Sequence, residues 1–147
     1  MEELAGSNVN RAYSLAATSL SIFTFMLVFL YPRIVTGEVD VVVFQIALGV
    51  MGIATFSFVF AAFAYYGSSL AGRMEEPERL RLARNGDALW LLGYSLLFGV
   101  PSVILIAVRL QLIAIVWFAL WLLYLAVIVR YFPRVLTRPR SASGGTN

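Results

Sequence analysis

The sequence predicts an all-α integral membrane protein, built as a four-transmembrane-helix bundle with a short cytoplasmic surface helix between spans two and three. Of its 147 residues, 61% are hydrophobic and 13% are charged, against roughly 45–50% and about 25% in soluble domains. The stretch 88–132 contains only two charges, Arg109 and Arg130. It is too long for one buried helix and fits two membrane crossings that meet at Arg109. Two further apolar runs precede it.

The first predicted span covers residues 12–31, enough for about 30 Å of hydrocarbon. The acidic start of the chain and the Pro32-Arg33 pair after the run differ from a cleaved signal peptide, so we expect this span to remain in the mature protein. Pro32 is expected to end the helix because it lacks a backbone donor. Four polar residues share one helical face, which is expected to look into the bundle and not at lipid: Ser14, Thr18, Ser21 and Thr24.

The second predicted span covers residues 41–66 and follows a loop whose Gly37, Glu38 and Asp40 are suited to turns and helix capping. Small and polar residues recur along this span every three or four positions, namely Gln45, Gly49, Gly52 and Thr55. Such a stripe lets another backbone approach closely, so it predicts helix packing.

Residues 67–87 form the one substantial polar segment between spans. Pro77 is placed to begin a short surface helix, and Gly86 and Asp87 are placed to end it before the next span. Its four arginines are offset by nearby acids, which favours a solvated linker over a lipid-binding surface.

The third span is predicted at 88–108 and the fourth at 111–132, with the turn at Arg109. Pro101, within Gly99-Val100-Pro101, is expected to kink the third span. The carbonyls that it frees either bind a ligand or are satisfied by Ser95 or Ser102. In the fourth span Trp117, Trp121 and Tyr124 share a face that either fills the bundle or lines a pocket. Residues 1–136 are predicted to form one domain, and 137–147 a disordered tail.

The residue types that are missing exclude several kinds of chemistry. The chain has no His, Lys or Cys, which removes the usual ligands of zinc and haem, the thiol nucleophile and the lysine Schiff base. Between their interfacial arginines the predicted spans contain no ionisable Asp, Glu, Lys, Arg or His, which disfavours proton relays and ion-coupled transport. Loop acids such as Glu38, Asp40 and Glu75 fit turns as well as they fit a metal. We therefore expect no enzyme activity, no cofactor and no nucleic-acid partner.

Two classes of function remain, both set in a lipid bilayer. The first is an accessory or structural subunit that associates through its helices with itself or another membrane protein. The alternative is an oligomeric channel or carrier for a neutral or weakly polar solute, or a protein that binds a lipid or quinone. Eight residues are the candidate cavity or ligand contacts: Ser21, Thr24, Gln45, Pro101, Ser102, Trp117, Trp121 and Tyr124.

Arginine distribution predicts the orientation. Nine arginines lie before the first span, in residues 67–87 or from Arg130 onward, whereas the other two loops have one each, Arg33 and Arg109. The positive-inside rule then predicts a multi-pass protein of the cell membrane with both termini in the cytoplasm.

Overall fold

The computed structural model describes residues 2–70 and 75–136, with side chains described for 6–70 and 75–130. The described chain is all-helical, as predicted. Its four helices are α1 (Glu2–Val35), α2 (Val41–Ser69), α3 (Glu76–Ala107) and α4 (Gln111–Leu136). Each is long and apolar enough to cross a membrane, with mean hydropathy of 1.8 to 2.8 in its most apolar window. The tail predicted at 137–147 lies outside the described residues.

The end of α1 lies beyond the predicted position. Pro32 is inside the helix, which continues to Val35, so the prediction that Pro32 ends it is wrong. The helix stops where Gly37 adopts a φ of +73°. There the Gly37 N–H donates to the Ile34 carbonyl and the Glu38 N–H to the Arg33 carbonyl, both at 3.0 Å. This is the Schellman pattern of bonds, so the glycine, and not the proline, ends the helix.

The polar segment before the third span is not a separate surface helix in the described residues. From Glu76 onward it forms the first turns of α3, which continues through Gly86 and Asp87 without a break. The predicted stop at Gly86 is therefore wrong, since one glycine weakens a helix by only about 1 kcal/mol. Pro77 lies in the first turn, where proline is tolerated.

Extensive contacts join successive helices, α1 with α2, α2 with α3, and α3 with α4, so α2 and α3 form the centre of the bundle. The core-facing side of α2 follows a spacing of four and three residues, as expected for a helix packed along its length. Its members are Ala47, Met51, Ala54, Phe58, Ala61 and Tyr65, all buried.

The loop between α1 and α2 and the turn between α3 and α4 lie at the same end of the bundle. Asp40 caps α2, because its Oδ1 accepts from the Val42 and Val43 N–H groups at 2.9 and 3.0 Å. Its own N–H donates to the Ala107 carbonyl at 3.1 Å, which joins this loop to the end of α3. The predicted turn at Arg109 is present, and Arg109 adopts a φ of 64°.

Candidate functional site

The polar residues of the first span do not face the core of the chain. Ser14, Thr18, Ser21 and Thr24 are all exposed, so the prediction that they look into the bundle is wrong for the single chain. The hydroxyls of Thr18, Ser21 and Thr24 each donate, at 2.9 Å, to the carbonyl four residues earlier in α1. Because these hydroxyls are satisfied within their own helix, the bundle interior is not needed to accommodate them.

The buried polar contact between α1 and α2 is instead made by Ser19 and Thr55. Their hydroxyl oxygens are 2.9 Å apart, and Ser19 is fully buried. Sequence reasoning missed Ser19, although its position on one face with Ala12 and Ala16, both buried, was a usable signal.

The predicted small-residue stripe on α2 is not a helix contact within the chain. A Cβ added at Gly49 or Gly52 would meet nothing within 4 Å, and Gln45 is exposed. Of its four members, Thr55 alone makes a hydrogen bond across to another helix in the described structure. The stripe prediction is therefore wrong for both glycines.

Glycines of α3 provide the close approaches to α2. A Cβ on Gly93 would lie 3.0 Å from Phe58 Cε1 and 3.1 Å from the Ala54 carbonyl oxygen. One on Gly86 would lie 2.9 Å from Tyr65 Cε1, and the Tyr65 hydroxyl donates to Asp87 Oδ1 at 2.7 Å. The seven-residue interval between these glycines puts them on one face, a signal that could have identified this contact.

The aromatic face of α4 packs against α3. The indole N–H of Trp121 donates to the Ser95 carbonyl at 2.8 Å, and that of Trp117 donates to the Phe98 carbonyl at 3.1 Å. A Cβ on Gly99 would lie 3.3 Å from Trp121 Cε2. Tyr124 stacks on Phe98 with ring centroids 5.2 Å apart. This face was predicted either to fill the bundle or to line a pocket, and the geometry supports packing within the bundle.

Helix α3 runs unbroken through Pro101. The indole groups of Trp121 and Trp117 bond the carbonyls of Ser95 and Phe98 just before it, whereas the carbonyl that Pro101 frees is that of Leu97. Ser102 is 2% exposed, and its hydroxyl has no partner in the described structure. The carbonyl four residues before it, the usual acceptor of a helical serine, is the Phe98 carbonyl that Trp117 already bonds. Ser102 therefore differs from Ser19 and Ser21 of α1, whose hydroxyls donate to carbonyls of their own helix.

The eight candidate contacts fall into two groups. Five of them lie on α3 and α4, which pack against each other: Pro101, Ser102, Trp117, Trp121 and Tyr124. The other three, Ser21, Thr24 and Gln45, lie on exposed faces of α1 and α2. Within the described residues α4 has no extensive contact with α1 or α2, and none of the eight residues lines the cavity described next.

A cavity of about 430 Å³ is found elsewhere, between the start of α1 and the end of α2. No group of three or more acidic residues in the described chain is placed to hold a metal ion.

These features define the class, an all-helical protein with four candidate membrane-spanning helices, compatible with a multi-pass bundle. A scan of protein-family models and searches of curated proteins and solved structures found no match to this chain. We therefore infer its function from the surfaces and contacts described above.

Proposed function

We propose that this protein is a non-catalytic accessory or structural subunit of the cell membrane that acts by lateral association through the outer face of α1. The first partner in this proposal is a second copy of the same chain. Both termini lie in the cytoplasm, as the arginine distribution predicts. The observation that carries the proposal is a line of small residues on α1 that points away from the core of the chain.

This line, called the α1 outer stripe, follows spacings of three and four residues. All its members are exposed: Ser7, Asn10, Ser14, Ala17, Ser21 and Thr24. Small residues at membrane-helix interfaces let two backbones approach closely, and a mean spacing of 3.5 residues keeps them on one seam between two helices. The stripe therefore has the pattern of a helix interface but no partner helix within the described chain.

The exposed surface beside the stripe and on α4 is different. Beside the stripe α1 exposes Leu20, Phe25 and Val28, and α4 exposes large apolar residues along most of its length, such as Leu112 and Leu123. Such side chains suit contact with lipid tails, which requires no small residues. The stripe is thus a shallow groove between larger side chains, the shape that a second helix fills.

The proposal is tested by replacing one stripe residue with a larger one. Ala17→Leu places a bulky side chain in the seam, and an overpacked contact costs about 1–3 kcal/mol, which weakens association about 5- to 150-fold. The matched control is Ala119→Leu, the same change on the exposed face of α4. Energy transfer between two fluorescently labelled pools, measured over a dilution series in liposomes, gives the association constant.

Two outcomes contradict the proposal. If the parent protein remains monomeric at all dilutions, the proposed self-association is excluded. If Ala17→Leu and Ala119→Leu both associate like the parent, the contact lies on another face.

The outward hydroxyls also favour a second candidate, a passage for a neutral or weakly polar solute formed by several copies. In such an assembly Ser14, Thr18 and Ser21 would line the passage, because all three are exposed away from the core. The number of copies in the assembly distinguishes the two candidates, since a ring of several copies encloses a central space and a dimer does not. Solute flux into liposomes that rises with oligomer content would favour the passage.

A further inference from the structure

We propose that the cavity between the start of α1 and the end of α2 binds one glycerolipid of the cytoplasmic leaflet. Among the described residues it is lined by Gly6, Val9, Asn10, Tyr13, Tyr66 and Ser69. Its volume, about 430 Å³, is within the range of about 300–1,000 Å³ found for small-molecule sites. That space suits the glycerol, ester and phosphate groups of a lipid whose acyl chains remain in the bilayer.

The level of the cavity along the membrane-spanning helices identifies the class of ligand. Tyr13 begins the apolar part of α1, two residues after the charged Arg11, and Tyr66 lies near the end of the apolar part of α2. The two tyrosine residues are 46% and 56% exposed. Tyrosines at the ends of apolar runs lie at the level of lipid headgroups. The cavity therefore opens where the polar parts of lipids are concentrated, and not into the hydrocarbon centre.

The lining chemistry suits the oxygens of a glycerolipid. The Asn10 amide and the Tyr13 and Tyr66 hydroxyls are hydrogen-bond donors, and phosphate and ester oxygens are acceptors. Gly6 and Val9 add an apolar wall. None of the lining residues that the structure describes carries a charge, so we expect the site to recognise atoms that all glycerophospholipids share and to discriminate little by the net charge of the headgroup.

Filling the cavity tests the site. Gly6 lines the cavity and a Cβ added there meets nothing within 4 Å, so we expect Gly6→Leu to be tolerated and to fill part of the cavity. Gly49→Leu is the matched control, because its Cβ also meets open space but Gly49 does not line the cavity. Tyr66→Phe removes one hydroxyl and leaves the ring in place.

The measurement is native mass spectrometry of the full chain with equimolar phosphatidylethanolamine and phosphatidylglycerol. We expect the parent and Gly49→Leu to retain one lipid of either kind, Gly6→Leu to retain at least about tenfold less, and Tyr66→Phe about two- to tenfold less, as for one lost hydrogen bond. Far-ultraviolet circular dichroism checks that each variant keeps its helices.

Three results would overturn the proposal. The first is a parent that retains no lipid, and the second is a folded Gly6→Leu that retains as much as the parent. The third is a preference of more than about tenfold for the anionic lipid, which would show recognition of headgroup charge instead of the shared ester and phosphate oxygens. Asn10 belongs to both the cavity and the α1 outer stripe, so the test changes only Gly6 and Tyr66, which lie outside the stripe.

Discussion

Replacing Gly93 with alanine tests a close approach between the two central helices. The new methyl group would lie 3.0 Å from Phe58 Cε1 and 3.1 Å from the Ala54 carbonyl oxygen. Both distances are shorter than ordinary carbon contacts of about 3.5–4.0 Å. The phenyl ring can move slightly, but the carbonyl is part of the α2 backbone and moves only with the helix. Overpacking of this kind costs about 1–3 kcal/mol.

The same substitution at Gly49 provides the reference. Both glycines lie inside helices, so both variants gain the same helix propensity, about 1 kcal/mol. Gly49 has open space around its Cβ position, so Gly49→Ala keeps this gain. The difference between the two variants therefore isolates the packing cost, and Gly93→Ala is expected to be less stable than Gly49→Ala by about 1–3 kcal/mol.

Unfolding in mixed micelles by added dodecyl sulfate, followed by circular dichroism, gives the free energy of unfolding of each variant. Dilute detergent keeps the chains monomeric, so that contacts between copies do not contribute. Equal stability of the two variants, within about 0.5 kcal/mol, would refute the close approach at Gly93. A larger loss at Gly49 would restore the original prediction that the α2 stripe is the packing surface.

Three further predictions concern single contacts and the orientation. Tyr65→Phe removes the hydroxyl that donates to Asp87 at 2.7 Å, so the free energy of unfolding should fall by about 1.5–3 kcal/mol, as for a bond to a charged group; an unchanged value would mean that water replaces the bond. Pro101→Ala restores an N–H toward the Leu97 carbonyl, and thermal stability in detergent should hold or rise, whereas loss of a bound solute or partner with the fold intact would make this turn a binding site. Reporter fusions should place the C-terminus in the cytoplasm; an external C-terminus would contradict four spans with a cytoplasmic N-terminus.

The number of long apolar helices and the turn at Arg109 could be predicted because they depend on the length of apolar runs, which the sequence displays directly. A charged residue between two such runs has a low energy only near the membrane surface. The exact ends were less predictable. Pro32 removes one hydrogen bond near the end of α1, but the bonds around Gly37 determine where the helix stops.

Which face of each helix is buried could not be predicted with the same security. Ser21 and Thr24 are polar, and polarity predicted an inward position, but a hydroxyl that bonds its own helix can point in any direction. Likewise Gly49 and Gly93 are both glycines within apolar helices, and only the position of Phe58 decides which of them is in contact. The role of Trp121 was open between packing and a pocket because its partner carbonyl, on Ser95, lies in another helix.

The most direct test of the central claim, association through the α1 outer stripe, is a cysteine scan of α1 in native membranes. The chain contains no cysteine, so each single substitution forms disulfides only between separate chains. We predict that oxidation yields covalent dimers with maxima every three or four positions, at Ser14→Cys, Ala17→Cys and Ser21→Cys, and a minimum at the buried Ser19→Cys. A flat profile along α1, or dimers that form more readily from Leu123→Cys on α4, would contradict the account.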